Sequence, residues 1–198
     1  MWKVKKKRPE EETTADEYFD KHAEAYSQSN AIKTIQKRIT LRALELADWK
    51  KNAKILDVGC GPGFSMEVLI EKGFETVGID LSKKMIEEAK RKKLNVKLAD
   101  MRDIPFEDES FDGILSISAL QWIERKDLKK VAKEFFRVLK PGGSAVIQFY
   151  PKSEKDMIAV GKAFVSQGFE GEFAIDNPKN PKKRKIYLVL KKPEKPQP

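Results

Sequence analysis

The chain predicts an α/β domain, a three-layer sandwich in which helices cover both faces of a mostly parallel sheet. Three observations carry that expectation. From residue 54 onward, short apolar runs alternate with segments of helical period, the order that builds such a sheet. The run GILSIS at 113–118 is unbroken by charge, as expected of a strand buried on both faces. KILDVGCGPGF at 54–64 then joins a short strand to a helix through closely spaced glycines, and a second acid, Asp80, follows 23 residues after Asp57. A length of 198 residues suits one core of this kind. We expect a single domain over 15–190.

Element by element, residues 1–14 form a charged leader expected to be flexible. Residues 15–50 form an N-terminal helical cap; within it 17–49 is helical, with Ile32, Ile35, Ile39, Leu41, Leu44 and Leu46 near a 3.6 period. Strand 54–58 leads to a helix from about 64 to 72, ended by Gly73. After strand 76–80, Ser82 caps a helix that turns Met85, Ile86 and Ala89 inward. Strands 96–99 and 113–118 follow, then an amphipathic helix over 127–139 through Leu128, Val131, Phe135 and Leu139. Pro141-Gly142-Gly143 turns the chain into strand 144–149, and Ser153 with Asp156 opens a helix to about 167. Strands 173–175 and 186–190 form a hairpin around the basic, proline-rich loop 177–185. The tail 191–198 is expected to be disordered.

Composition narrows the function. No apolar run approaches the roughly 18 residues of a membrane span, and no apolar stretch follows the N-terminal charges as in a signal peptide. The single cysteine, Cys60, excludes an internal disulfide and a cysteine-built zinc site. A cytoplasmic protein without membrane contact or metal is expected. The net charge of +9 is segregated: residues 1–10 hold five Lys/Arg against one acid, and 176–198 hold eight against two. Basic ends on a near-neutral body suit a polyanion. Lys/Glu enrichment of the thermophile kind explains the 36% charged content but not the separation of sign.

The chemistry centres on the glycine turn. Gly59, Gly61 and Gly63 let the backbone turn sharply and approach a ligand closely. Asp80, at the end of the next strand, can take both hydroxyls of a ribose. The spacing is GxGxG rather than the dinucleotide GxGxxG, and an acid stands just before it. A pyrophosphate wants helix-terminal N–H groups with no anion alongside. Asp57 instead suits a positively charged ligand, such as the amino-acid end of S-adenosylmethionine.

This turn resembles motif I of the class I S-adenosylmethionine-dependent methyltransferases, and later segments resemble that family's motifs in order. The resemblance implies a Rossmann-like sheet of order 3-2-1-4-5-7-6, with the cofactor across the ends of the first and fourth strands. It implies contacts from Asp57, Gly59, Cys60, Gly61 and Gly63, from Asp80 and Leu81 at the ribose, and from Asp100 and Met101 around the adenine. FDGILSIS, carrying Ser116, matches the fourth strand, and LKPGGSAVI the fifth. Cys60 itself reads as a small residue the turn requires, not as a nucleophile.

No obvious base accompanies these motifs. His22, the only histidine, lies on the N-terminal helix and reads as a surface or packing residue. A nucleophile with a lone pair already exposed, such as a ring nitrogen, fits better than one needing deprotonation; guanine N7 is of that kind. SISALQW at 116–122 and QFYP at 148–151 offer Gln121, Trp122 and Tyr150 at the pocket mouth, with apolar packing the competing reading of Trp122. These segments, with 17–36 and 168–190, resemble the small-subunit ribosomal RNA guanine-N7 methyltransferases of eukaryotes and their archaeal counterparts. That likeness implies small-subunit ribosomal RNA as substrate and Tyr26 and Asn30 beside the methionine moiety. It also implies a small zinc-ribbon activator protein adding a strand at the sheet edge, 95–99. A small-molecule methyltransferase and a mainly structural pre-ribosome assembly factor remain as alternatives.

Overall fold

The computed structural model describes residues 8–194; the expectations for 1–7 and 195–198 fall outside the described residues. Its core is a seven-stranded sheet of order β3-β2-β1-β4-β5-β7-β6. The strands are β1 Lys54–Val58, β2 Glu75–Asp80, β3 Val96–Leu98, β4 Phe111–Ile117, β5 Leu139–Phe149, β6 Glu170–Asp176 and β7 Lys185–Lys191. All pairings are parallel except those of β7, which runs antiparallel to β5 and β6. The helices are α1 Ala15–Gln28, α2 Asn30–Leu46, α3 Phe64–Glu71, α4 Lys83–Arg91, α5 Leu128–Val138 and α6 Glu154–Val165.

Strand β4 shows why the sheet is sandwiched. Ile114 packs with Val131, Phe135 and Phe164 from α5 and α6, whereas its neighbour Leu115 packs with Ile39 and Ala43 of α2 and Leu69 of α3. Successive side chains point to opposite faces, so a strand covered on both sides must be apolar at successive positions. The strand order reverses between β1 and β4, opening a crevice at their carboxyl ends.

Four boundaries differ from expectation. The helix expected over 17–49 breaks at Ser29, which is extended (φ −77°, ψ 104°) and accepts a hydrogen bond from Ile32 N, capping α2. The break frees α1 to lie against α4, where Asp20 accepts from Ser82 Oγ (2.6 Å) and Lys84 N (3.1 Å). Residues 8–14 are no loose leader. Pro9–Glu11 forms a 3-10 turn, and the Arg8 guanidinium donates to the carbonyls of Tyr150 (2.6 Å) and Pro151 (3.4 Å). Strand β5 begins at Leu139 because Pro141-Gly142-Gly143 is absorbed as an irregularity in its register with β4 instead of ending a loop. At the other end β7 includes Lys191, and Lys192 is buried, its ammonium donating to the carbonyls of Phe136 (2.8 Å) and Leu139 (2.7 Å). The expected disordered tail is therefore ordered through 194. Among the described residues no helix is long and apolar enough to cross a membrane.

Candidate active site

The glycine turn sits where β1 gives way to α3. Gly59 N and Cys60 N both donate to Ile79 O (2.8 and 3.0 Å), pinning the turn to β2. Gly59 has φ +76°, and a Cβ there would stand 2.3 Å from the Ala119 Cβ, so only glycine fits. Gly61, also at positive φ, faces open space, and its N–H donates to Asp80 Oδ2 (2.8 Å). The other Asp80 oxygen accepts from Ser82 N (2.9 Å). Burial pushes the Asp80 carboxyl above its ordinary value, with these backbone bonds opposing the shift. Gly63, at φ +87°, is the residue before α3 and lies off the cavity.

A cavity of about 270 Å³ opens over this turn. Gly59, Gly61, Asp80, Leu81 and Met101 border it from the sheet side; Phe19 and Tyr26 close it from α1, and Trp122 from the segment after β4. Tyr26 hydroxyl accepts from Gln36 Nε2 (3.1 Å), and burial pushes its pKa up to about 12, so it stays a neutral phenol. Asn30 is not brought to this cavity. It is the exposed first residue of α2, and the break at Ser29 turns it away.

Asp57 lies beneath the turn rather than on the cavity wall. It is fully buried, Ser65 Oγ donates to its Oδ2, and its Oδ1 has no hydrogen-bond partner. Burial drives its carboxyl from an ordinary 3.8 up to about 7; the Ser65 bond opposes the shift and Asp80 adds to it. Cys60 is packed inside as well, and burial pushes its thiol well above the usual range, consistent with a steric role. Ser116 is fully buried and donates to Val58 O (2.9 Å), tying β4 to the end of β1 without reaching the cavity.

Asp100 borders the cavity with its carboxylate already engaged. Arg102 Nη2 donates to Asp100 Oδ2 (2.6 Å) and Nε to both oxygens, while Nη1 reaches Asp127 Oδ2 (3.0 Å). Burial works to raise the Asp100 pKa, but the Arg102 bonds outweigh it and hold the carboxyl below its ordinary value. Nothing in the spacing of LADMRDIPF singled out Arg102 as the partner.

Two further cavities adjoin the first. One, of about 330 Å³, lies between the 120–125 segment, the end of β5 and α6, and is bordered by Gln121, Trp122 and Tyr150. The other, of about 300 Å³, is bordered by α1, α2 and the same three residues. Gln121 Nε2 donates to Ser118 O (2.7 Å), leaving its Oε1 without a partner. The Trp122 ring packs on Tyr18 and Phe19, with centroids 5.3 and 5.1 Å away, so it is both packing residue and cavity wall. Lys185 stands 5.0 Å from the Tyr150 ring. Glu10, unremarked in the sequence, also borders these spaces. His22 is exposed, its Nδ1 2.6 Å from Tyr18 O, and borders none of the three cavities.

Comparison with known proteins agrees with this geometry. Residues 56–147 match a methyltransferase domain family. The 18S rRNA (guanine-N7)-methyltransferase bud23 of Schizosaccharomyces pombe is 36% identical over 186 residues, covering 87% of this chain and 69% of that protein. The 18S rRNA (guanine(1575)-N7)-methyltransferase of Saccharomyces cerevisiae is 36% identical over 204 residues, covering 96% and 74%. Among solved structures, a methyltransferase in complex with the Haloferax volcanii Trm112 activator superposes with a TM-score of 0.74 over 92% of this chain and all of that one; at 21% identity this shows the fold. With more than a third of residues shared over most of both chains, the chain belongs to the 18S rRNA guanine-N7 methyltransferase family of S-adenosylmethionine-dependent enzymes.

Proposed function

We propose that this protein binds S-adenosylmethionine over the glycine turn and methylates N7 of a guanine in small-subunit ribosomal RNA. The observation that carries the reading is that the cavity over the turn and the cavity beside Tyr150 share the Trp122 side chain as a wall. One space suits the donor, the other an unpaired base stacked on an aromatic face.

The residues suit that donor in two ways. Gly59 brings backbone to within van der Waals reach of Ala119, and Gly61 leaves open space before Asp80, whose carboxylate can take ribose hydroxyls. Asp57 lies under the turn with its Oδ1 partnerless and its carboxyl raised by burial, and a ligand ammonium bound above it would favour its ionised form. When bound, the donor supplies a methyl group made electrophilic by its sulfonium. The chain's task is then to align a nucleophile about 3 Å away and in line with it. Guanine N7 needs no deprotonation, in keeping with His22 outside the cavities and Cys60 held as a buried thiol. N7 lies in the deep groove of A-form RNA, which side chains cannot enter, so the target belongs in a loop or opened region.

Two surfaces extend the reading. Exposed Lys179, Lys182 and Lys183 lie on the loop that leads to Lys185 beside Tyr150, positioned for RNA phosphates. Arg8 is withdrawn from that role, being spent on the carbonyls of Tyr150 and Pro151. The zinc-ribbon activator would add a strand to β3, the edge of the sheet, where Leu98 is 54% exposed.

The test is incubation with labelled donor and small-subunit RNA, with and without the activator, followed by nucleoside mass spectrometry. Labelled N7-methylguanosine is expected. Label recovered instead in a small molecule or a protein side chain overturns the reading.

A further inference from the structure

Glu10 sits at the point where the three cavities meet. Among the described residues, only Glu10 and Trp122 border all three. The Glu10 side chain is 8% exposed, and its ion pair with Arg8 is long, 3.5 Å. Charge-assisted bonds run to roughly 2.7–2.9 Å, so this pair leaves the carboxylate far from saturated. Arg8 itself is held by the carbonyls of Tyr150 and Pro151, so the N-terminal strap stays anchored without Glu10. Gln121, whose Oε1 is buried and without a hydrogen-bond partner, borders the same two outer cavities. Its orientation is secure, because only the amide nitrogen can donate to Ser118 O at 2.7 Å.

We infer that Glu10 is the specificity-determining residue for the acceptor base, its carboxylate accepting hydrogen bonds from the N1–H and N2–H2 groups of guanine. The inference rests on the guanine-N7 reaction proposed above. Guanine presents those two donors side by side, matching the two oxygens of one carboxylate. Adenine presents an acceptor at N1 and no donor at C2, so the same carboxylate repels it. Trp122 offers the stacking face and Glu10 the reading edge.

The same contact strengthens during reaction. As the N7 lone pair forms the new N–C bond, the C–S bonding pair stays on sulfur, and the positive charge passes from sulfur to the purine with no proton released. A cationic purine is a stronger N1–H donor. Glu10 therefore binds the transition state more tightly than the ground state, the condition for raising kcat.

The experiment uses the protein with its activator and a small-subunit RNA fragment carrying either the target guanine or inosine at that position. Inosine keeps N7, O6 and N1–H but lacks the 2-amino group. Wild type should prefer guanine by roughly 10-fold or more in kcat/KM, the worth of one hydrogen bond to a charged group. Glu10→Gln, isosteric and retaining the strap, should lower kcat/KM on guanine and move the guanine-to-inosine ratio toward one; Glu10→Ala should do so further if it folds. A Glu10→Gln variant that slows both substrates equally, keeping the wild-type ratio, overturns the assignment and leaves Glu10 a clasp for Arg8. A wild type indifferent to inosine overturns it too. A wild type that makes no N7-methylguanosine on the guanine fragment rejects the reaction itself, and the role falls with it.

Discussion

At the scale of single residues, two carboxylates divide the work around the glycine turn. Asp80 borders the cavity and is held by Gly61 N and Ser82 N. Asp80→Ala should remove charge-assisted bonds to the donor ribose, worth roughly 1.5–3 kcal/mol each, and weaken donor affinity at least tenfold by calorimetry. Unchanged affinity would remove the ribose assignment. Asp57 acts through burial. Its folded pKa, about 7, lies above its ordinary 3.8, so the folded state holds the proton more tightly than the unfolded chain. Its contribution to stability is thus full below the ordinary value and is lost as pH rises through about 7. In denaturant melts, the stability of wild type relative to Asp57→Asn should fall between about pH 4 and 7 and level off above. A difference independent of pH would mean that Asp57 does not titrate in this window. Both acids were legible from KILDVGCGPGF and TVGID, but Glu10 was not, because in the sequence it belongs to a run of charges that reads as solvated.

At the scale of elements, the edge strand decides partner binding. In the parallel register Gly78 pairs with Val96 and Asp80 with Leu98; Gly78 N donates to Asn95 O and Ala99 N to Asp80 O. The ladder with β2 thus uses the odd-numbered residues of β3, leaving the amides of Val96 and Leu98 on the open side. Val96 is buried against Met66, Ile86 and Ala89, so replacing it would also disturb the core. Leu98→Pro is the cleaner test. It deletes an outward donor from an exposed position and should abolish co-purification with the zinc-ribbon activator while leaving the glycine turn in place. Wild-type recovery of the complex would shift the docking surface elsewhere. Existence and order of the strands were readable from period and punctuation. The break at Ser29 was not, since the apolar residues on either side keep near-helical spacing, and the contacts of α1 with α4 and Trp122 favour the break.

At the scale of the whole molecule, charge is arranged around the proposed acceptor site. The exposed loop residues Lys179, Lys182 and Lys183 lead to Lys185, which stands beside Tyr150, while Asp80 and Asp100 border the donor cavity. RNA affinity should fall steeply with salt, and a Lys182→Ala/Lys183→Ala pair should reduce the slope of log affinity against log salt by about 1 per lysine. An unchanged slope would place the RNA path on another face. Donor affinity should be indifferent to the same change, because neither lysine borders the cavity over the turn.

The sequence by itself determined what depends on neighbours along the chain. A glycine must stand where φ is positive, a strand buried on both faces must be apolar, and a serine caps the helix after Asp80; these are local constraints written residue by residue. Tertiary structure alone decided what depends on residues far apart. Arg8 meets the end of β5 across more than a hundred residues, and that contact converts an apparently loose leader into a wall carrying Glu10. Arg102, while bonded to its near neighbour Asp100, reaches across to Asp127, and the break at Ser29 swings Asn30 to solvent. Such pairings follow from how the layers stack and from the need to satisfy polar groups once water is excluded, and no local pattern encodes them.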